Sequence, residues 1–258
     1  MRRVVIASLL LILATSYIYW IYYKKKTSPV IEILSAEEIQ RVITTDADHY
    51  YEKFHAVDFK VRQVKNKVAY LDKISGSGCA AEEDIIQKVK DCIGAVNSHL
   101  SHQQNETIHG IHIDTFLEIP WRIGFICDKK YENGLPHTRG DVIILNSQDI
   151  RRRSKSEVCK LLIHEKSHVY QKKEKEKMDT YLKTKYTEVK RKDYTDETIP
   201  ANPDTNDTIY KCNETKVVLQ GKYRKNPTHF RDVLFTQNDH SLEHPFETIA
   251  YNMEELYY

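Results

Sequence analysis

The chain has 258 residues, enough for one medium-sized domain with a short appended segment. Charged residues make up 29% and hydrophobic residues 40%, a balance that excludes a disordered chain. The net charge of +2 and the scattered basic residues exclude an electrostatic nucleic-acid binder, so no nucleic-acid partner is expected.

Val4 to Tyr23 is a nearly continuous apolar run without a charge. It has the length of a bilayer-crossing helix, and aromatic residues crowd its C-terminal end, as at a membrane interface. A cleaved signal peptide would need the apolar core to stop near Ala14-Thr15-Ser16, and the run continues past that point. The segment 1–26 is therefore expected to be a single-pass membrane anchor, with the lipid bilayer as a partner. Arg2 and Arg3 on one side and Lys24, Lys25 and Lys26 on the other are too evenly balanced to set an orientation. Sequons at Asn105, Asn206 and Asn213 are compatible with a lumenal or external body. The five cysteines, Cys79, Cys92, Cys127, Cys159 and Cys212, include no CxxC pair, and disulfides are expected only in an oxidising compartment.

Residues 27–104 read as a helical stalk or subdomain. Ser35 and Glu38 form a capping-box pattern. Ile43, Ala47, Tyr50, Phe54, Val57, Val61, Val64, Val68 and Leu71 then follow heptad spacing. The pattern predicts one long helix ending at Gly76-Ser77-Gly78, with a second helix from Ile85 to Leu100 folding back on it. The seam over 43–71 either packs within the chain or forms an oligomer, and the first is favoured.

Residues 105–258 read as a separate domain. Ile111 to Leu145 is expected to be strand-rich, with strands at 111–113, 116–119, 122–126 and 142–145 and a turn at Glu132-Asn133-Gly134. Ser154 and Glu157 cap a helix that runs through Leu161, Leu162 and Val169. A polar loop follows around Asp193 to Asp207, and Pro245 opens a final helix with Phe246, Ile249, Ala250 and Met253 on one face.

Within the capped helix lies HEKSH. His164 and His168 are one helical turn apart, so both imidazoles can hold one metal ion. Glu165 is placed to take a proton from a metal-activated water and return it to a leaving amine. The bland alternative is a pair of surface histidines on an ordinary helix.

LLIHEKSHVYQ resembles the active-site helix of the zincin metalloproteases. The resemblance implies an α+β, zincin-like catalytic domain with a mixed sheet, a zinc ion as cofactor, a further ligand downstream, and a strand edge where a peptide or protein substrate lies. Asp141 to Asn146 fits the place of that edge. The metzincin continuation is absent, since Gln171 and Glu174 occupy its positions. EHPFETIAY resembles the glutamate-ligand, or gluzincin, pattern, which makes Glu247 the third ligand. His240, His244, Glu188 and Glu197 are the alternatives. Tyr251, one turn after Glu247, is the candidate oxyanion stabiliser, with Tyr210 and His229 as rivals. The expected function is a membrane-anchored zinc metallopeptidase with Glu165 as general base. The alternative is a catalytically silent zincin-fold membrane protein acting in an interaction or envelope complex.

Overall fold

A computed structural model describes residues 30–189, 199–206 and 208–257. The described residues open with β1 (Ile31–Ile33) and α1 (Ala36–Thr45), then the short helices α2 (Ala56–Val61) and α3 (Lys67–Ile74). Next come β2 (Gly78–Cys79), α4 (Glu83–Leu100), the hairpin β3 (Thr107–Ile108) and β4 (Ile111–His112), and α5 (Ile113–Glu118). The middle holds β5 (Trp121–Ile126), β6 (His137–Arg139), β7 (Val142–Asn146) and α6 (Ser147–Arg152). Two helices follow, α7 (Lys155–Lys173) and α8 (Lys175–Lys185). The C-terminal part contains β8 (Tyr186–Val189), β9 (Ile209–Cys212), β10 (Val218–Leu219), β11 (Gly221–Tyr223), β12 (Val233–Phe235) and α9 (Pro245–Glu254).

The central sheet runs β1-β5-β7-β6, with β2 beside the far end of β5. β1, β5 and β7 are parallel, whereas β6 is antiparallel to β7 and forms the outer strand. β7 shows why helices cover both faces. Ile143 and Leu145 point into one apolar cluster, with α4, α5, α7 and α9. Val142 and Ile144 point into the other, with α1 and a group of tyrosines. A strand buried on both faces reads as an unbroken apolar run, which is what VIIL is.

The expected fold class needs correction. The described residues form a mixed α/β body with helices on both faces of a mixed sheet, rather than an α+β domain behind a long helical hairpin. No helix among the described residues is long and apolar enough to cross a membrane, and the expected span at Val4–Tyr23 lies outside the described residues. The predicted long helix is three short ones. α1 stops because Asp46 takes a left-handed conformation, where its carboxylate accepts from Tyr51 N and pairs with Arg139. α3 starts afresh at the Asn66 N-cap. The heptad reading failed because a tyrosine-rich core produces the same spacing as a seam. Tyr50, Tyr51, Phe54 and Tyr70 stack edge to face around the end of α1, while the seam positions Ala47 and Val68 are exposed. The long seam helix that the alternative oligomer reading needs is thus absent among the described residues, and the favoured packing within the chain takes its place. The expected strand at 116–119 is also corrected, because Phe116 sits in α5 and presents one helical face to the core.

Both expected capping boxes form, at Ser35–Glu38 and Ser154–Glu157. Helix α4 buries Ile85, Val89, Cys92, Ile93, Val96 and Leu100, as its spacing predicts. β1 and β2, from the expected helical subdomain, share the sheet with strands of the expected catalytic domain. Gly124 permits this close layering, since a Cβ there would collide with the Ile39 side chain of α1.

Two covalent or charged ties hold the N-terminal elements to the rest. Cys79 and Cys127 form a disulfide. Arg62 is buried and donates to Glu132 Oε2 at 2.8 Å and Tyr50 Oη at 2.7 Å, and it pairs with Asp58 at 3.3 Å. Tyr70 donates to Glu132, and Tyr223 donates to Asp58 at 2.9 Å, so the network reaches β11.

Removing Glu132 would leave Arg62 buried without its main partner. Glu132→Ala is expected to cost about 3–5 kcal/mol of unfolding free energy, measured by urea denaturation at neutral pH. Burial would raise the pKa of Glu132, but Arg62 outweighs it and holds the group below its ordinary 4.5. A depressed folded-state value means that the contribution is complete above the unfolded value and is lost as pH falls through the folded one. The wild-type advantage over Glu132→Ala should therefore shrink in acid; an unchanged gap at about pH 3 would contradict this assignment.

Candidate metal centre

Helix α7 is set into the molecule by the residues between the two histidines. Lys166 is fully buried, donates to Ile119 O at 2.8 Å and lies 4.0 Å over the Trp121 ring. Ser167 is buried too and bonds back to Ile163 O. With this side fastened to the sheet, His164 and His168 face α9. Neither is a surface histidine, since both are buried.

Helix α9 begins where Pro245 suits the first turn, and His244 Nδ1 caps it by accepting from Phe246 N at 3.1 Å. Glu247 lies in that first turn, and the fully buried Ala250 adds no bulk between α9 and α7. Glu247 Oε2 is 3.3 Å from His164 Nε2, and Oε1 is 3.7 Å from His168 Nε2. Candidate ligand atoms of all three residues lie within 4.8 Å of one another.

The other nitrogen of each imidazole is occupied. His168 Nδ1 lies 2.8 Å from Gln171 Oε1, and the Gln171 amide nitrogen donates to Phe246 O at 3.0 Å. That second bond fixes the amide orientation, so His168 Nδ1 is the donor and Nε2 keeps its lone pair. Glu254 Oε1 approaches His164 Nδ1 to 2.7 Å, as an ion-pair contact rather than a well-aligned hydrogen bond. Both histidines thus turn Nε2 towards Glu247. His168 Nε2 is buried with no hydrogen-bond partner, and so is Glu165 Oε2. Two imidazoles and a carboxylate with oriented outer partners are the donor set of a divalent metal site, and the residues fit such an ion.

The charges follow from the packing. Burial alone would lower the pKa of His164, yet the carboxylates of Glu247 and Glu254 outweigh it and hold it well above the ordinary imidazole value. His168 is pushed down by burial against the pull of Glu247. Glu247 is held low because His168 and His164 outweigh the effect of its burial. Glu165 moves the other way: burial raises it well above the carboxylate range, Asp204 and Glu247 add to this, and His164 opposes it.

His164, Glu165, Glu247 and Tyr251 line a half-open cleft of about 820 Å³. Tyr251 sets its ring edge-on to His164 at 4.7 Å between centroids. Its rivals are elsewhere: Tyr210 packs on His244, and His229 sits in an exposed turn closed by Asp232. Among the alternative ligands, His244 is used as a helix cap, His240 is an exposed residue at the cleft rim, and Glu188 is exposed on β8. Glu197 lies outside the described residues. The expected substrate edge is corrected: β7 is flanked on both sides, so the outer strand next to α7 is β6. Gln171 and Glu254 were not among the expected site residues. Glu254 is two turns after Glu247 on the same helix face, a signal the sequence does contain.

Compared with known proteins, the chain matches no family model, no curated sequence and no solved structure. The site is therefore read from its own residues.

Gln171→Ala and Glu254→Ala should each weaken metal affinity about 10–100-fold while leaving the fold intact. Competition with a fluorescent chelator measures this; affinities within twofold of wild type would show that these contacts do not orient the ligands.

Proposed function

We propose that the chain is a zinc-dependent metallopeptidase. The observation that carries the reading is the convergence of His164, His168 and Glu247 beside an unpartnered Glu165 carboxylate oxygen at the wall of the cleft. His164 Nε2, His168 Nε2 and the Glu247 carboxylate would hold the zinc ion. A zinc ion in such a site supplies Lewis-acid polarisation of a carbonyl and acidifies a water molecule.

The remaining roles belong to the chain itself. Glu165 lies in the cleft wall with one oxygen free, so it can accept a proton from the attacking water. The carboxyl so formed can then return that proton to the leaving amine. Tyr251 lines the cleft, so its hydroxyl is a candidate donor to the oxygen that gains charge as the peptide carbonyl becomes tetrahedral. Phe230, Val233 and Phe235 also line the cleft and give it an apolar surface for a peptide side chain.

The test separates zinc binding from turnover. Purified wild-type protein should contain about one zinc per chain, and His164→Ala and Glu247→Ala should lose it. Glu165→Gln should keep the zinc but lose about 10²–10⁴-fold in the rate of casein cleavage. Full zinc in Glu247→Ala would remove that ligand from the site. Undiminished cleavage by Glu165→Gln would sink the peptidase reading, and zinc without cleavage in the wild type would favour a silent, binding-only protein.

A further inference from the structure

The segment Pro200–Asn206 runs along the cleft and reaches the candidate ligand Glu247. Pro200, Ala201, Asn202, Pro203 and Asp204 all line the cleft. One end is tied to the N-terminal elements, where Ala201 N donates to Asp58 Oδ1 at 3.0 Å. The other end is tied to α9, where Asn206 Oδ1 lies 3.1 Å from His244 Nε2. Between these ties, Asn202 Nδ2 reaches Glu243 at 3.3 Å and the candidate ligand Glu247 at 3.5 Å.

Asp204 makes the most specific contact. Every second residue of an antiparallel edge strand turns its N–H and C=O outwards, where an added strand would pair. In β6 that residue is Thr138. Its N–H donates to Asp204 Oδ1 at 2.9 Å, and its hydroxyl donates to the same oxygen. Its C=O accepts from Lys172 Nζ at 2.9 Å, and Lys172 Nζ also pairs with Asp204 Oδ1 at 3.1 Å. Thr138 and Lys172 thus form a carboxylate pocket on the open edge of the sheet, and Asp204 is buried in it.

Resting on the metallopeptidase reading, we propose that Pro200–Asn206 is a built-in occupant of the substrate edge, held by the Asp204 carboxylate in the Thr138–Lys172 pocket. An extended peptide must displace it to pair with β6. The pocket it vacates takes an acidic side chain of the substrate, so the substrate class is an extended peptide carrying an Asp or Glu beside the cleaved bond. The strap lowers apparent affinity by the fraction of time the edge is open.

The experiment uses the full chain with Glu165→Gln, so that nothing is cleaved, and compares it with the same chain carrying Asp204→Ala or Asn202→Ala. Zinc content and thermal unfolding are recorded for each. The probe is fluorescein-labelled, reduced and carboxymethylated α-lactalbumin, an unstructured acidic chain, with binding read by anisotropy. About tenfold tighter binding in Asp204→Ala, and a smaller gain in Asn202→Ala, is expected. Equal or weaker binding in folded, zinc-loaded variants would overturn the proposal and leave the metal site standing. Absence of zinc from every chain would instead remove the metallopeptidase reading, and this proposal with it. If Asp204→Ala does not fold, Asn202→Ala decides, because Asn202 is only half-buried and its zinc content shows whether the loss of its contact to Glu247 disturbs the metal site.

Discussion

The bridge formed by Gln171 ties together the two helices that carry the candidate metal ligands. Its carbonyl oxygen faces His168 Nδ1, and its amide nitrogen donates to the Phe246 carbonyl in the first turn of α9. One side chain therefore sets the imidazole tautomer and also the position of Glu247, the next residue along. The bridge is buried, so water does not compete for it. The packing around it is permissive because Ala250 adds little bulk between the helices. On the other side of α7, Lys166 spans from the helix to the sheet and keeps the helix from rolling. Rotation of α7 would move both histidines together.

Much of this was legible in the sequence where the signal is local. The capping boxes at Ser35–Glu38 and Ser154–Glu157 form, because their hydrogen bonds depend only on residues three apart. The pairing of His164 and His168 was anticipated from their one-turn spacing, and Glu247 from the resemblance of EHPFETIAY to the glutamate-ligand pattern; the three do lie together. Features set by distant partners were not legible. Apolar residues at three- and four-residue spacing between Ile43 and Leu71 suit a long helix and a folded-over tyrosine core equally well. The deciding contact was Asp46 with Arg139, residues far apart in the chain. The outer strand of the sheet was misplaced by one for the same reason: pairing order in a sheet is not local, and β6 is a three-residue strand buried along its whole length.

The surroundings of the site are built from charges that sequence alone does not pair. Arg62, Glu132 and Asp58 fix the short N-terminal helices against the sheet, and Ala201 hangs from the same network through Asp58. A tie that stabilises the fold thus also positions the strap that runs along the cleft. The Cys79–Cys127 disulfide closes β2 onto the end of β5. A stable disulfide suits an oxidising compartment. Cys92 and Cys159 are free thiols buried in the apolar core, where burial raises the pKa of Cys92.

The central claim is that three side chains from two helices converge on one metal ion. Anomalous X-ray scattering from crystals grown with zinc, recorded on either side of the zinc absorption edge, tests it most directly. The result expected is a single strong peak about 2.0–2.2 Å from His164 Nε2, His168 Nε2 and a Glu247 carboxylate oxygen. A peak at any other set of residues, or no peak between α7 and α9, would contradict it.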